Sequence, residues 1–299
     1  MSGLRVSYGA SGDGIALVRF GFATGPADVV VACPRLAGPE RAEVWLETGA
    51  GDGEFALVAI EVEEAACGGV QAASEEAYRR LLAAVRPSQH PYLLRIWNYV
   101  GAINAGAGDE ERYRRFCVGR AAAADARFNA PPPAATAIGT PQPTGSVQVI
   151  ALCTRTPGIA LENPRQTPAW QYPREYGPVS PGFSRGALAG KGDGVRLLAS
   201  GTASIVGHVS QHEGDAAAQL RESLANLEAL LVQGAHHSER NFALERCESL
   251  RVYLRDANDL ADVRAAVETR IDPACVLYLQ GDICRRELLV ELEGVFAPD

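Results

Sequence analysis

LRVYLRDANDLADVRAAV (residues 250–267) and LLRIWNYVGAINAGAGDEERYRRF (residues 93–116) carry the same features in the same order. Each begins with an apolar run long enough for one buried strand. Each then crosses a polar turn and enters a segment with apolar residues at helical spacing. In the later stretch the strand covers residues 250–254, and Asp259 opens a helix with Val263, Ala266 and Val267 inward. In the earlier one the strand covers residues 93–100. The helix covers residues 109–124, with Tyr113, Phe116 and Cys117 on its inner stripe.

The flanks repeat as well. Ahead of the earlier stretch lie an apolar strand at 57–62 and a helix for which Ser74 is the expected N-cap. Ala77, Leu81, Leu82 and Val85 share its face, and Pro87 stops it. Ahead of the later stretch lie strands at 196–198 and 201–209, then a helix capped by Asp215. That helix carries Leu220, Leu224, Leu227 and Leu231 and is expected to end at Gly234. Closing strands are expected at 146–154 in one half, and at 276–280 and 288–295 in the other. Strand–helix–strand–helix–strand thus occurs twice, offset by roughly 130–160 residues. Duplication explains this better than two unrelated domains. The expected class is α+β, with helices packed on one sheet face and halves at residues 1–165 and 166–299. Further strands are expected at 29–31 and 43–46. The Pro- and Gly-rich residues 130–145 read as loop or irregular edge. Residues 155–187 are proline-rich, hold Trp170, Tyr172, Tyr176 and Phe183, and show no periodicity. A long irregular segment within a compact protein is often functional.

The net charge of −8 repels polyanions and the basic residues are scattered, so nucleic acid is not an expected partner. A small anion is compatible, because a few arginines outweigh the global field locally. Lys191 is the sole lysine, and arginine supplies the other basic residues. The seven cysteines form no C-x-x-C pair and read as reduced, mostly buried thiols. His208 and His212 stand at i, i+4 without the Glu of a metalloprotease helix, so no metal is expected. No apolar run approaches the ~18 residues that cross a bilayer. Residues 1–12 lack the basic-then-apolar build of a leader, and the expected location is cytoplasmic, away from membranes.

YGPVSPGFSRGAL (176–188), LLASGTASI (197–205) and LLVELEGV (288–295) resemble a RidA/YjgF-type domain spanning about residues 176–295. A more specific likeness runs through WNYVGAIN (97–104), RYRRFCVGRA (112–121), ENP (162–164), YPREYGP (172–178), TASIVGH (202–208) and DICRRELLVELEG (282–294). Together, in that order, these are similar to the chorismatases over most of residues 90–299, whereas residues 1–70 match loosely and look short for the family. The resemblance implies fused RidA/YjgF-like (chorismate-mutase-like) repeats, with mixed sheets and a pseudo-threefold, trimer-like arrangement in one chain. A monomer is the corresponding expectation. It implies cleavage of the enolpyruvyl ether of chorismate to pyruvate and a ring acid, in a cleft between the central and C-terminal parts, with no cofactor. The family's acid matches Glu291. Two positions that separate subfamilies match Gly201 and Cys284. Ala at both is similar to hydrolases that make a dihydroxycyclohexadiene carboxylate, whereas Gly with Cys resembles the 3-hydroxybenzoate subfamily.

The residues bear on this chemistry independently. Protonating an enol ether needs a carboxylic acid whose pKa burial has raised. Glu291 lies in an apolar strand and shares a face with Glu293, so proximity of like charges would add to the shift. The same pattern also fits an exposed face with two solvated glutamates. Cys284 and Glu291 are seven residues apart, about 23 Å of straight strand, so both reach one ligand only if the chain bends at residues 285–287. A lone Cys is more often core, and if Cys284 acts it would help move a ring proton. Two substrate carboxylates need cations. Arg185, after the Gly-Pro turn, is the first candidate, followed by Arg120 and then Arg174. Tyr172 and Tyr176 are candidate hydroxyl donors, and Gly201 and Thr202 could offer close backbone approach and a hydroxyl. Three other functions remain open: RidA-type imine hydrolysis, a non-catalytic metabolite-binding repeat, and the hydrolytic chorismatase outcome. Residues 273–282 lack the arginine of RidA-type enzymes, which argues against the first.

Overall fold

Side chains alternate between the two faces of a strand, so each apolar run here has to be covered twice. The computed structural model describes residues 4–9, 15–18, 28–38, 54–140 and 145–299. β1 (Leu4–Tyr8), β2 (Ile15–Val18) and β3 (Asp28–Val31) form a small sheet, followed by β4 (Arg35–Ala37). The first large unit comprises β5 (Phe55–Glu63), α1 (Val70–Val85), β6 (Tyr92–Gly101), α2 (Arg112–Ala123), β7 (Ala134–Thr140) and β8 (Ser146–Thr154). After β9 (Ile159–Leu161) and the irregular segment come β10 (Gly186–Ala189), β11 (Arg196–Ala203), β12 (Ile205–Val206), β13 (Val209–Ser210) and α3 (Ala216–Ser238). β14 (Phe242–Leu254), α4 (Leu260–Val267), β15 (Val276–Gln280), β16 (Asp282–Ile283) and β17 (Val290–Pro298) complete the chain.

The two large sheets run β16-β7-β6-β8-β5 and β4-β15-β14-β17-β11-β10-β9. Within them β7-β6-β8-β5 and β15-β14-β17-β11 have identical connectivity, one parallel pair followed by two antiparallel pairs. The repeat read in the sequence is therefore a repeat of topology, and the fold is α+β with fused repeats. Strands also cross between the halves: β4 and β9 join the second sheet, and β16 pairs β7 of the first.

Each sheet buries one face beneath its own helices. Val58, Ile60, Ile96 and Val149 pack with Ala77, Leu81 and Phe116, while Leu197, Leu250, Val252 and Leu292 pack with Leu220, Leu227 and Leu231. The opposite faces meet each other, with Trp97, Tyr99, Ile150, Leu198, Tyr253 and Val295 in one cluster. The layers are helix, sheet, sheet, helix.

Several local expectations change. Residues 134–140 form β7 rather than loop, because Ala, Gly and Thr leave no apolar alternation to read, yet β7 pairs with both β6 and β16. α1 starts after Gly69, and Ser74 lies inside it, its hydroxyl donating to the Val70 carbonyl at 2.6 Å. α2 begins at Arg112, after a 3₁₀ turn at Gly108–Glu110. α3 runs past Gly234 to Ser238. At Gly234 a Cβ would sit 2.3 Å from Leu197 Cδ1, so that glycine serves close packing rather than a stop. Asp215 does cap α3, accepting from the Ala218 N–H at 2.8 Å. The strand expected at 201–209 breaks after Ala203, and the last one starts at Val290. The strand expected at 43–46 lies outside the described residues.

α1 and α2 cross where Gly119 would place a Cβ 2.1 Å from the Gln71 carbonyl oxygen. Ala favours a helix over Gly by about 1 kcal/mol, but the obstacle is backbone, so overpacking wins. Gly119→Ala is expected to lower stability by ~1–3 kcal/mol, read as a lower urea midpoint at unchanged slope.

Candidate active site

On β17, Val290, Leu292 and Phe296 face α3, which turns Glu291, Glu293 and Val295 into the layer between the sheets. Glu291 is 4% and Glu293 2% exposed, which excludes the pair of solvated glutamates. The two carboxyls differ in their partners. Arg251 Nη1 and the Tyr253 hydroxyl donate to Glu293 at 2.9 and 2.8 Å. Arg95 and the Thr136 hydroxyl close on its other oxygen. Burial opposes the charge of Glu293, but Arg95 and Arg251 outweigh it and hold this carboxyl below its usual range. Among the described residues nothing donates to Glu291. Burial, and then the Glu293 charge, push it up to about 8, with Arg95 and Arg185 only partly offsetting. At neutral pH Glu291 is a carboxylic acid beside a carboxylate.

A bulge in β11 gives Glu291 its room. Ala199 pairs with Gly294 but Thr202 with Leu292, so Ser200 and Gly201 are accommodated opposite Glu293. Gly201 presses on the acid: a Cβ there would lie 2.2 Å from Glu291 Oε1. Its N–H donates to Thr136 Oγ1 at 2.8 Å.

Glu291 opens into a cavity of about 450 Å³, walled also by Thr136, Gly201, Tyr172, Tyr176, Phe183, Cys284 and the guanidinium groups of Arg120, Arg185 and Arg285. Arg120, on α2, is 3% exposed and lies 5.2 Å from the Phe116 ring centre. Arg185 Nη2 donates to the Thr167 carbonyl at 2.9 Å and the Tyr172 hydroxyl at 2.7 Å, and its Nε is buried without a partner. Arg285 lies 4.0 Å above the Tyr176 ring, anchored through Nη1 to the His208 carbonyl at 2.9 Å, with Nη2 buried and unpartnered. Among the described residues none of the three forms an ion pair with a carboxylate. Buried or half-buried cations left in this state are ready for an anion.

The turn at residues 284–289, between β16 and β17, brings Cys284 and Glu291 to one cavity. Burial, then Glu291, push the Cys284 thiol up to about 12, so it is neutral. The irregular segment supplies Tyr172 and Tyr176, with ring centres 5.3 Å apart. Two candidates fall elsewhere. Thr202 points to the other face of β11, its hydroxyl donating to the Ser200 carbonyl at 2.8 Å, because strand alternation puts Gly201 and Ala203 on the cavity side. Arg174 is exposed, both Nη atoms are bound to Asp109, and it lies outside the walls. Sequence reasoning missed Arg285, whose aromatic partners are about 110 residues distant, and Thr136, hidden in the stretch read as loop. Among the described residues no cluster of His, Cys, Asp or Glu is set to hold a metal, and no helix is long and apolar enough to cross a membrane.

Comparison with known proteins bears on the family. The family described as chorismatase FkbO/Hyg5-like, N-terminal, matches residues 40–153. The chain is similar to a 3-hydroxybenzoate synthase of Streptomyces hygroscopicus, 36% identical over 282 residues, covering 85% of this chain and 81% of that one. It is similar to a chorismatase of Streptomyces rapamycinicus, 42% identical over 219 residues, covering 70% of this chain and 65% of the relative. A crystal structure of a chorismatase superposes with a TM-score of 0.74 at 34% identity, covering 82% of this chain and 75% of the other.

Because Glu291 titrates near 8 when folded and near 4.5 otherwise, its proton favours the fold below about 4.5, and that contribution is lost as pH rises through 8. Glu291→Gln removes the titration. Relative to the native chain, this variant should gain stability steadily between pH 4.5 and 8, measured by urea unfolding across that range. A constant difference would contradict the raised value.

Proposed function

The chain belongs to the chorismatase family, and on that premise we propose that it cleaves the enolpyruvyl ether of chorismate to pyruvate and 3-hydroxybenzoate, with Glu291 as the acid. One observation carries this: a buried carboxyl, held toward its protonated form by that burial, faces a cavity walled by three guanidinium groups that lack carboxylate partners among the described residues. Such a volume suits one small ring acid, and the cations suit a dianion.

Glu291 delivers its proton to the terminal methylene carbon, which leaves an oxocarbenium ion at the ether carbon. The neighbouring ring hydroxyl attacks the ring carbon that bears the ether. That carbon–oxygen bond breaks, its electron pair completes the pyruvate carbonyl, and the hydroxyl proton returns to the Glu291 carboxylate. The resulting ring oxide opens with oxygen kept on the ring carbon that bore the ether; that carbon's hydrogen leaves as a proton while the oxygen takes one up, and the ring aromatises. No water is consumed and no cofactor is required. Cys284, a neutral thiol on the wall, assists the ring proton. Arg120, Arg185 and Arg285 hold the two carboxylates, with Tyr172 and Tyr176 donating hydroxyl hydrogen bonds. The cavity takes walls from both of the halves divided near residue 165. The protein acts as a monomer in the cytoplasm, since each repeat already has its partner within the chain.

Glu291→Gln is expected to reduce pyruvate release from chorismate by about 10³-fold or more with an unchanged circular-dichroism spectrum; near-native turnover would remove Glu291 as the acid. Gly201→Ala combined with Cys284→Ala is expected to redirect product from the aromatic acid toward the dihydroxycyclohexadiene carboxylate. Chromatography of the products with mass detection reads the ratio, and an unchanged ratio would show that these positions do not set the outcome.

A further inference from the structure

Glu291 and Glu293 are two buried carboxyls on one face of β17, and the layer around them supplies two cations, Arg95 and Arg251. Both cations are spent on Glu293. Arg251 comes from the neighbouring strand β14, and Arg95 crosses from β6 of the other sheet. The side chains of Thr136 and Tyr253 donate to the same carboxylate. The Thr136 hydroxyl also accepts from the Gly201 N–H, so the group that anchors Glu293 also holds the glycine lying against Glu291. We propose that Glu293 is a positioning residue for the acid: locked between the sheets by Arg95 and Arg251, it is a fixed negative charge that assigns the pair's single proton to Glu291.

The chemistry follows from charge balance. Two like charges this close in a dry layer do not both persist, and one carboxyl keeps a proton. The carboxyl with four donors is the one that ionises, and the one facing the cavity is left as the acid. The charged and titratable groups around Glu291 are Glu293 on its own strand, Arg95 from β6, Arg185 from the segment before β10, and Cys284 from the turn before β17. Among these Glu293 is the charge that favours the protonated form, while Arg95 and Arg185 oppose it. Glu293 touches the cavity nowhere, so it acts only through Glu291.

This rests on Glu291 being the acid, and the test separates the two. The carboxylic-acid C=O stretch is followed by infrared difference spectroscopy from pH 5 to 10 in the native chain, Glu291→Gln and Glu293→Gln, alongside the pH profile of kcat for pyruvate release. In the native chain a band titrating near 8 is expected, and Glu291→Gln should abolish it. Glu293→Gln should move both the band and the basic limb of kcat downward by at least about one pH unit, a tenfold change in proton affinity. Since Glu293→Gln leaves two buried arginines uncompensated and risks the fold, Glu293→Gln combined with Arg251→Gln serves as the second variant. It removes the charge together with one of its two cations, and the band should again move downward. A band that stays in place in a folded form of either variant overturns the proposal. Absence of any such band in the native chain overturns it as well. If the band shifts as expected while Glu291→Gln still releases pyruvate, the charge coupling stands and the acid assignment fails.

Discussion

A single carboxylate, Glu293, ties the two sheets together. Arg95 reaches it from the first sheet and Arg251 from the second, so the layer between them is cross-braced by charge rather than filled with hydrocarbon alone. Three ionised groups are buried at once, which is tolerable because each finds a partner of opposite sign within the layer. Trp97 contributes as well, with both guanidinium groups within about 5 Å of its ring centre. The consequence for Glu291, two residues earlier, is that Arg95 and Arg251 are already engaged.

The same layer opens at one side into the cavity, and there the rule reverses. Among the described residues Arg120, Arg185 and Arg285 are left without carboxylate partners, which favours an anion that fits. They are held in position by aromatic rings and carbonyl oxygens, contacts that fix a guanidinium without neutralising it. Membership of the chorismatase family gives that arrangement a chemical identity. On the proposed reading, acid and cations work on one ligand at different ends.

Backbone details set the tolerances. The β11 bulge and the missing side chain at Gly201 let the Glu291 carboxyl occupy space that an alanine methyl would fill. The turn at residues 284–289 shortens what would be a 23 Å separation along straight strand, so that Cys284 and Glu291 share a wall. Neither feature has a strong local signature, since one glycine and one charged turn are common.

Much was legible from residues alone. Period-two and helical patterns revealed the doubled α+β order, because burying a face imposes its period on the chain. The strings around residues 97–121 and 282–294 carried the family, and the Glu291–Glu293 spacing put two acids on one face. The sequence could not say which acid keeps the proton. Arg95 lies about 200 positions from Glu293, and Arg285 about 110 from the tyrosines beneath it, so only the packing of sheet on sheet brings these charges together. Thr202 and Arg174 show the same limit from the other side. A residue's type makes it eligible for a site, but strand phase and a neighbouring Asp109 decide where its side chain goes. The elements follow from local periodicity, whereas the protonation state of Glu291 follows from electrostatics between distant segments, which exists only once the chain has folded.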